Sequence, residues 1–224
     1  MEEGAPIVRE EEKTFVGKIA ASVTHELMNV FATIRETSGL MEDLLALSRE
    51  SSFPHSQRFA KSLGTIRAQV GRGMEISGRY NQFAHSMDEG RGKVGVDELL
   101  QEVAFLMQRA ANLKRVRLVV QPGELPVVLS SDLFRLQMIL VACIECGLGH
   151  AASGGTITLQ SERSGNSVVM RILLEPGSLP ALVEGRLPEQ LAGFREALDA
   201  LAASLGVVGA PGLGGLELIL PLGS

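Results

Sequence analysis

Three side chains in the first part of the chain, His25, Glu26 and Asn29, have the types and spacing that nucleophilic catalysis needs. An unperturbed imidazole is largely neutral at cell pH, so its ring can attack an electrophile. A carboxylate beside it can accept a proton from one ring nitrogen while the other nitrogen attacks phosphorus. An amide one helical turn further on can orient a water or a phosphoryl oxygen. The alternative is an ordinary solvated histidine among helix-forming polar residues.

The sequence around these residues predicts one long amphipathic helix over about residues 14–49. At about 100° per residue, His25 points roughly 150° away from the mean direction of the apolar stripe, and Asn29 shares its face. A helix of about 50 Å cannot sit in a compact core alone, so it needs an antiparallel partner, another subunit or both. The apolar residues recur at three-, four- and seven-residue spacing: Phe15, Ile19, Val23, Val30, Ile34, Met41 and Leu45.

A second helix is predicted after a break at residues 51–54, where Pro54 suits a helix start. Two long helices joined by a short loop form a hairpin, and a lone hairpin leaves one side of its apolar stripe exposed. We therefore expect residues 14–88 to form a four-helix bundle in a homodimer. Four glycines of the second helix each lower helix stability by up to about 1 kcal/mol relative to alanine, so the helix requires compensating packing. The stripe comprises Phe59, Leu63, Ile66, Val70, Tyr80, Phe83 and Met87, and the glycines are Gly64, Gly71, Gly73 and Gly78.

The rest of the chain predicts an α+β domain over residues 97–224, with helices on one face of a mixed sheet. An acidic segment, residues 1–13, precedes the hairpin, and a small polar stretch, residues 89–96, reads as a linker. Ser130 or Ser131 is the expected N-cap of the central helix. Helices are predicted at 97–112, 132–147 and 188–205, and strands at 115–121, 127–129, 156–161, 167–174, 207–208 and 215–220.

This order of parts resembles the core of two-component sensor histidine kinases. Residues 25–29 read His-Glu-Leu-Met-Asn, and the phosphoacceptor box of that family reads His-Glu-aliphatic-x-Asn-Pro, with Val30 here in place of the proline. The resemblance implies that His25 is phosphorylated, that Glu26 is the acid/base beside it, and that Asn29 matches the position tied to dephosphorylation of the partner. It extends to the approach to the ATP-binding helix, a Gly-Gly strand entry and the closing strand, at residues 125–137, 154–158 and 214–221.

The positions that bind ATP in this family do not match. Aligned from Gln137, the two asparagine positions of the family's nucleotide-binding helix fall on Val141 and Glu145. Glu145 is a possible Mg²⁺ ligand, but it would add negative charge beside the phosphates. The adenine-binding Asp-x-Gly-x-Gly box appears only as Glu175-Pro-Gly177-Ser-Leu, and no glycine-rich lid precedes the last helix. The resemblance therefore implies an α/β-sandwich ATPase-like fold with a degenerate nucleotide site.

A phosphoacceptor without ATP ligands predicts a phosphorelay histidine phosphotransferase, a transferase that shuttles a phosphoryl group between His25 and receiver-domain aspartates. The expected partners are response-regulator receiver domains, a second copy of this chain and an upstream hybrid histidine kinase. No cofactor is expected, with Mg²⁺ brought by the receiver. Leu27–Phe31, Arg35 and Glu36 are the candidates for the receiver-docking surface. Two alternatives stay open: a divergent ATP-dependent kinase core, and a non-phosphorylated dimeric adaptor that binds response regulators.

Composition narrows the remaining classes. The 224 residues include 26 acidic and 21 basic side chains, a net charge of −5, which argues against binding nucleic acid or an anionic membrane. Apolar runs fall short of the roughly 18 residues that span a bilayer, so we expect a cytoplasmic protein without direct membrane insertion. Cys143 and Cys146, with His150 as a third ligand, are a weak metal candidate, and small residues packing under the sheet are the preferred interpretation.

Overall fold

The computed structural model describes residues 10–46, 55–86, 91–176, 188–210 and 213–222. The chain divides into two compact units, which we call the helical unit, residues 16–83, and the sheet unit, residues 1–15 with 84–224. For comparison, the sequence predicts a hairpin over residues 14–88 and an α+β domain over residues 97–224. Residues 92–95 of the predicted linker form a strand, so ordered structure reaches into that segment.

Two long helices form the hairpin. α1 spans Glu10–Ala46 and α2 spans Ser56–Ser86. α1 thus begins four residues before the predicted start, and its predicted last residues, 47–49, lie outside the described residues. Glu26 pairs with Arg72, whereas residues further along α1, Thr37 to Leu44, line one cavity with residues near the start of α2, Arg58 to Thr65, so the two helices run antiparallel within the helical unit.

The packed face of α2 matches the predicted stripe in part: Phe59, Ile66, Tyr80 and Phe83 are buried or half-buried, and Met87 lies outside the described residues. Its buried and half-buried positions recur every three or four residues, and Leu63 and Val70 fall beside this seam with 44% and 46% of their surface exposed. On α1, Leu45 is likewise 53% exposed although the stripe predicted it inside. Single-chain packing therefore buries only one of two adjacent apolar stripes. The packed α2 positions are Ser62, Ile66, Gln69, Gly73, Ile76, Tyr80 and Phe83.

The sheet unit contains a five-stranded mixed sheet in the order β2-β4-β5-β7-β6 and a two-stranded ribbon, β1-β3. β2 and β4 pair in parallel, and the other neighbours pair antiparallel. The strands are β1 Gly92–Gly95, β2 Arg117–Gln121, β3 Val128–Ser131, β4 Thr156–Ser164, β5 Ser167–Glu175, β6 Ser204–Ala210 and β7 Leu213–Pro221. The helices are α3 Val96–Lys114, α4 Leu133–His150 and α5 Arg195–Ala200, the last preceded by a 3-10 helix, Glu189–Phe194.

One face of the sheet carries the core. Alternate residues of β4, β5 and β7 are fully buried, as the two-residue period of a strand requires. α4 approaches this face closely at Gly147, where a Cβ atom would lie 3.2 Å from Ile157 Cδ1. The predicted fold class, a helical hairpin followed by a mixed α+β domain, is therefore confirmed. The buried strand residues are Ile157, Leu159, Val168, Met170, Ile172, Leu174, Leu216, Leu218 and Leu220.

Three local predictions are wrong for identifiable reasons. Asp132, and neither Ser130 nor Ser131, caps α4, because its carboxylate accepts the Arg135 backbone N–H at 3.0 Å. The predicted helix at 188–205 ends at Ala200, because Ser204–Ala210 pair with β7 as strand β6. Part of the predicted linker forms β1, because Val94 can pair opposite Leu129 of β3.

α4 is the one described helix with the length and composition to cross a membrane. About three fifths of the window Leu133–His150 is buried inside the structure, against α3 and the sheet. Burial of this kind is expected of a core helix in a two-layer domain.

Candidate functional site

His25 lies on the exposed face of α1 with Asn29 one turn further on. The Asn29 side-chain nitrogen is 3.2 Å from His25 Nδ1. A side-chain amide can present either its N–H or its oxygen to the ring. At this distance the amide N–H can donate to Nδ1, and an amide turned by 180° can accept from Nδ1–H, so the contact fits either tautomer of the ring. His25 and Asn29 thus lie side by side on one exposed face of α1, as their four-residue spacing predicts.

Glu26 makes its hydrogen bond to the other helix of the hairpin. Arg72 Nη2 donates to Glu26 Oε2 at 2.7 Å, across 46 residues of sequence. The Glu26 side chain is only 24% exposed, while that of Arg72 is 59% exposed. The candidate acid/base therefore belongs to an ion pair that joins α1 and α2.

Gly73 explains how α2 comes close enough to place Arg72 there. A Cβ atom at Gly73 would lie 3.3 Å from Val30 Cγ1, whereas nothing lies within 4 Å of a Cβ built at Gly64, Gly71 or Gly78. Val30 is one turn beyond Glu26 on the buried side of α1. Of the glycines in α2, Gly73 is therefore the one whose missing side chain serves helix packing.

The predicted docking residues are mostly accessible. Met28 directly precedes Asn29 and Phe31 lies two residues after it, and their side chains are 62% and 58% exposed. Arg35 and Glu36 are exposed, and Leu27 is half-buried. Apolar and charged side chains thus flank the His25 face of α1.

α4 of the sheet unit is an apolar core helix at the positions predicted to be degenerate. Val141 is 2% exposed and Glu145 is half-buried. Glu175 ends β5 with an exposed side chain, and Gly177 lies outside the described residues. Gln137 is buried, where its Oε1 accepts from Ser86 Oγ at 3.0 Å and its Nε2 donates to Glu102 Oε2 at 3.2 Å.

The cysteines of the C-x-x-C pair have the burial expected of packing residues. Cys143 and Cys146 are buried free thiols, and burial raises the pKa of both, which disfavours the thiolate that binds metal. The ring of His150 faces the Cys146 carbonyl oxygen, with Nδ1 at 2.8 Å. Among the described residues, no group of three or more His, Cys, Asp and Glu side chains could hold a metal ion.

Comparison with known proteins identifies the fold. No protein-family model matches this sequence. Sporulation kinase B of Bacillus subtilis is 22% identical over 167 residues, which cover 74% of this chain but only 37% of that protein. The catalytic domain of histidine kinase ThkA matches with a TM-score of 0.53 and 13% identity, over 60% of this chain and 98% of that chain.

Longer structures extend the match to the hairpin. Histidine kinase ThkA, solved in complex with the response regulator TrrA, covers 99% of this chain and 68% of its own with a TM-score of 0.52 and 12% identity. Full-length ShkA in complex with AMPPNP covers 93% of this chain and 46% of its own, with a TM-score of 0.50 and 17% identity. The fold is that of a histidine kinase core.

ATP and Mg²⁺ are the groups that a histidine kinase core implies, and the described residues do not fit them. At the position where the family places a Mg²⁺-holding asparagine, α4 offers the buried hydrocarbon of Val141 or the carboxylate of Glu145. A valine supplies no ligand, and a carboxylate repels the phosphates unless a metal lies between them. The buried Gln137 amide, which matches the family pattern in sequence, is occupied by Ser86 and Glu102.

The sequence interpretation missed Arg72. Its position between two glycines gave no chemical signal, and its pairing with Glu26 depends on the register of the two helices. The one available hint was Gly73, since a glycine at an inward position of a helix indicates that another helix packs closely against it.

Proposed function

We propose that this chain is a phosphorelay histidine phosphotransferase of two-component signalling, acting in the cytoplasm as a homodimer. It accepts a phosphoryl group on His25 from a receiver aspartate and returns it to a second receiver without ATP. One contrast supports the proposal: His25 is exposed with Asn29 at 3.2 Å, while Val141, which the sequence resemblance aligns with an ATP ligand, is buried.

The transfer balances without a nucleotide. One ring nitrogen of His25 attacks the aspartyl phosphate, the N–P bond forms and the acyl O–P bond breaks, with its electron pair returning to the receiver carboxylate. The proton on the other ring nitrogen then passes to Glu26 or to water. Alignment of the two groups supplies several kcal/mol of the barrier reduction. The receiver brings the Mg²⁺ that neutralises the transferring group.

A response-regulator receiver domain is the proposed partner. The solved complex of ThkA with response regulator TrrA supports this choice, since the ThkA chain in it shares this fold. Met28 and Phe31 provide exposed apolar surface beside His25, and Arg35 and Glu36 provide charges for discrimination between receivers. An upstream hybrid histidine kinase, through its own receiver, is the proposed phosphate source.

The homodimer is proposed on the second apolar stripe of the hairpin. Leu63, Val70 and Met74 on α2 are 44%, 46% and 71% exposed, and Leu40 and Leu45 on α1 are about half exposed. In four-helix bundles, exposed apolar side chains of this kind on a hairpin are covered by a second hairpin. Sedimentation at micromolar concentration should give a dimer, and a monomer at that concentration would contradict the proposal.

A receiver-to-protein transfer assay tests the function. A receiver from the same cell, phosphorylated in advance and freed of nucleotide, is mixed with the purified chain and Mg²⁺. We expect acid-labile phosphate on His25 and its return to a second, unphosphorylated receiver. If no receiver transfers phosphate but one binds, the non-phosphorylated adaptor function replaces this one. Label on His25 from ATP alone would instead support the divergent kinase.

A further inference from the structure

The ion pair between Arg72 and Glu26 has features that an incidental surface contact lacks. It joins two helices across 46 residues, at a short 2.7 Å, and its carboxylate is three quarters buried. Its acidic member follows His25 directly in the chain. Exposed ion pairs contribute only about 0–1 kcal/mol to stability, so folding alone gives little reason for this arrangement.

The backbone beside the pair is also adapted to it. Gly73 costs up to about 1 kcal/mol relative to alanine inside a helix. In return, α2 approaches Val30 to a distance that a Cβ atom would make tight, at 3.3 Å. This approach lies within one turn of both Glu26 and Arg72, so it brings the guanidinium within reach of the carboxylate.

We propose that Arg72 is a positioning residue of the phosphotransfer site, supplied by α2 and acting through Glu26. This inference rests on the proposed function, because it assumes that His25 is phosphorylated. A glutamate side chain has three rotatable bonds, and a guanidinium that is itself fixed by its helix removes much of that freedom. Arg72 thus holds the carboxylate of Glu26, the residue that follows His25 in the chain, in one orientation and offsets its charge as the phosphoryl group arrives.

In this proposal, Arg72 affects the rate of phosphoryl transfer only while Glu26 is present. Loss of the guanidinium should slow phosphoryl transfer about tenfold, equivalent to about 1.4 kcal/mol in the barrier. The apparent affinity for the receiver should change little, because the pair orients a reacting group and does not form the docking surface. In a chain that already carries Glu26→Gln, removing Arg72 should have no additional effect.

Arg79 offers a matched control. It lies two turns further along α2 and pairs with Glu75 of the same helix at 3.2 Å, so it offers an arginine–glutamate ion pair within α2 for comparison. Arg79→Ala removes an exposed ion pair of α2 and leaves the His25 face unchanged. Dimer state and thermal midpoint of each variant, compared with wild type, exclude a folding effect.

The experiment measures the rate of label transfer from a phosphorylated receiver to wild type, Arg72→Ala, Arg72→Lys, Arg79→Ala, Glu26→Gln and the Glu26→Gln/Arg72→Ala double variant. We expect a tenfold slower rate for Arg72→Ala, recovery of most of it in Arg72→Lys, wild-type behaviour for Arg79→Ala, and equal rates for Glu26→Gln and the double variant. Equal rates for Arg72→Ala and Arg79→Ala, or multiplying effects in the double variant, would overturn the inference alone. Absence of label on wild-type His25 would instead overturn the proposed function together with it.

Discussion

The His25 face of α1 and the buried face of α4 show how differently two parts of one kinase fold tolerate change. The proposed acceptor His25 and its neighbour Asn29 lie on an exposed helix face and contribute little to the core, while Glu26 is half-buried. Val141, which the sequence resemblance aligns with a nucleotide ligand, is buried in the hydrophobic core. The proposed function follows this difference: the exposed histidine is available to a partner, and the buried valine serves packing.

Removal of the imidazole is the strongest way to break this comparison. His25→Ala should abolish uptake of phosphate from a receiver, a loss of at least about 10³-fold, because no other group supplies the nucleophile. The substitution should leave the fold and dimer intact, since the ring is exposed. Transfer assays with His85→Ala as the control check this, because His85 is an exposed histidine on α2. Equal uptake by wild type and His25→Ala would show that the acceptor is another residue.

Neutralising Glu26 should have the next largest effect. Glu26→Gln keeps the size of the side chain and removes its ability to take a proton, so transfer should slow by about 10²-fold. Asn29→Ala should mainly change how fast phosphohistidine loses phosphate to water. Rates of label uptake and of label loss, measured separately, distinguish the two roles. A rate of label uptake by Glu26→Gln within twofold of the wild-type rate would refute the acid/base assignment of Glu26.

Introducing an asparagine at Val141 tests whether this position of α4 is packed in the core. Val141→Asn places an amide in the core and should lower the free energy of unfolding by about 1–3 kcal/mol, the cost of an unsatisfied buried polar group. Ala142→Asn, half-buried on the same helix, should cost about 0.5 kcal/mol through helix propensity alone. Urea unfolding measures both. Equal stability of Val141→Asn and wild type would mean that the position faces a solvated site.

Alanine substitutions at two glycines of α2 should have the smallest effect, on the free energy of unfolding. Gly71→Ala should raise the free energy of unfolding by about 0.5–1 kcal/mol, because alanine favours the helix and nothing lies near its Cβ. Gly73→Ala should gain less or lose stability, because its Cβ meets Val30. Urea midpoints of the two variants test this difference. A gain of the same size at both positions would remove the argument that Gly73 serves close packing.

Sequence periodicity sufficed for the elements whose burial follows from local pattern. The two long helices, the alternating strands β4, β5 and β7 and the exposed position of His25 all follow from spacing. The end of α5 did not, because residues 201–205 continue a helical pattern, but Ser204 and Leu205 already pair with β7 as the start of β6. Tertiary pairing overrode local propensity there.

The proposed acceptor site was likewise predictable from the sequence only in part. His25 and Asn29 lie on one helix, so a four-residue spacing was enough to place them together. Arg72 needed the register between α1 and α2, which no local pattern encodes. The exposure of Leu63 and Val70 also escaped prediction, because two apolar stripes overlap on α2 and the sequence does not say which one the same chain covers.

A comparison of two phosphate donors tests the central claim most directly. One preparation of the chain receives either Mg–ATP labelled on the γ-phosphate, at millimolar concentration, or a labelled phospho-receiver with Mg²⁺ and no nucleotide, and acid-labile label on His25 is quantified in each. The account predicts label from the phospho-receiver and none from ATP. Label from ATP with purified chain alone would contradict it and make this chain an active kinase core.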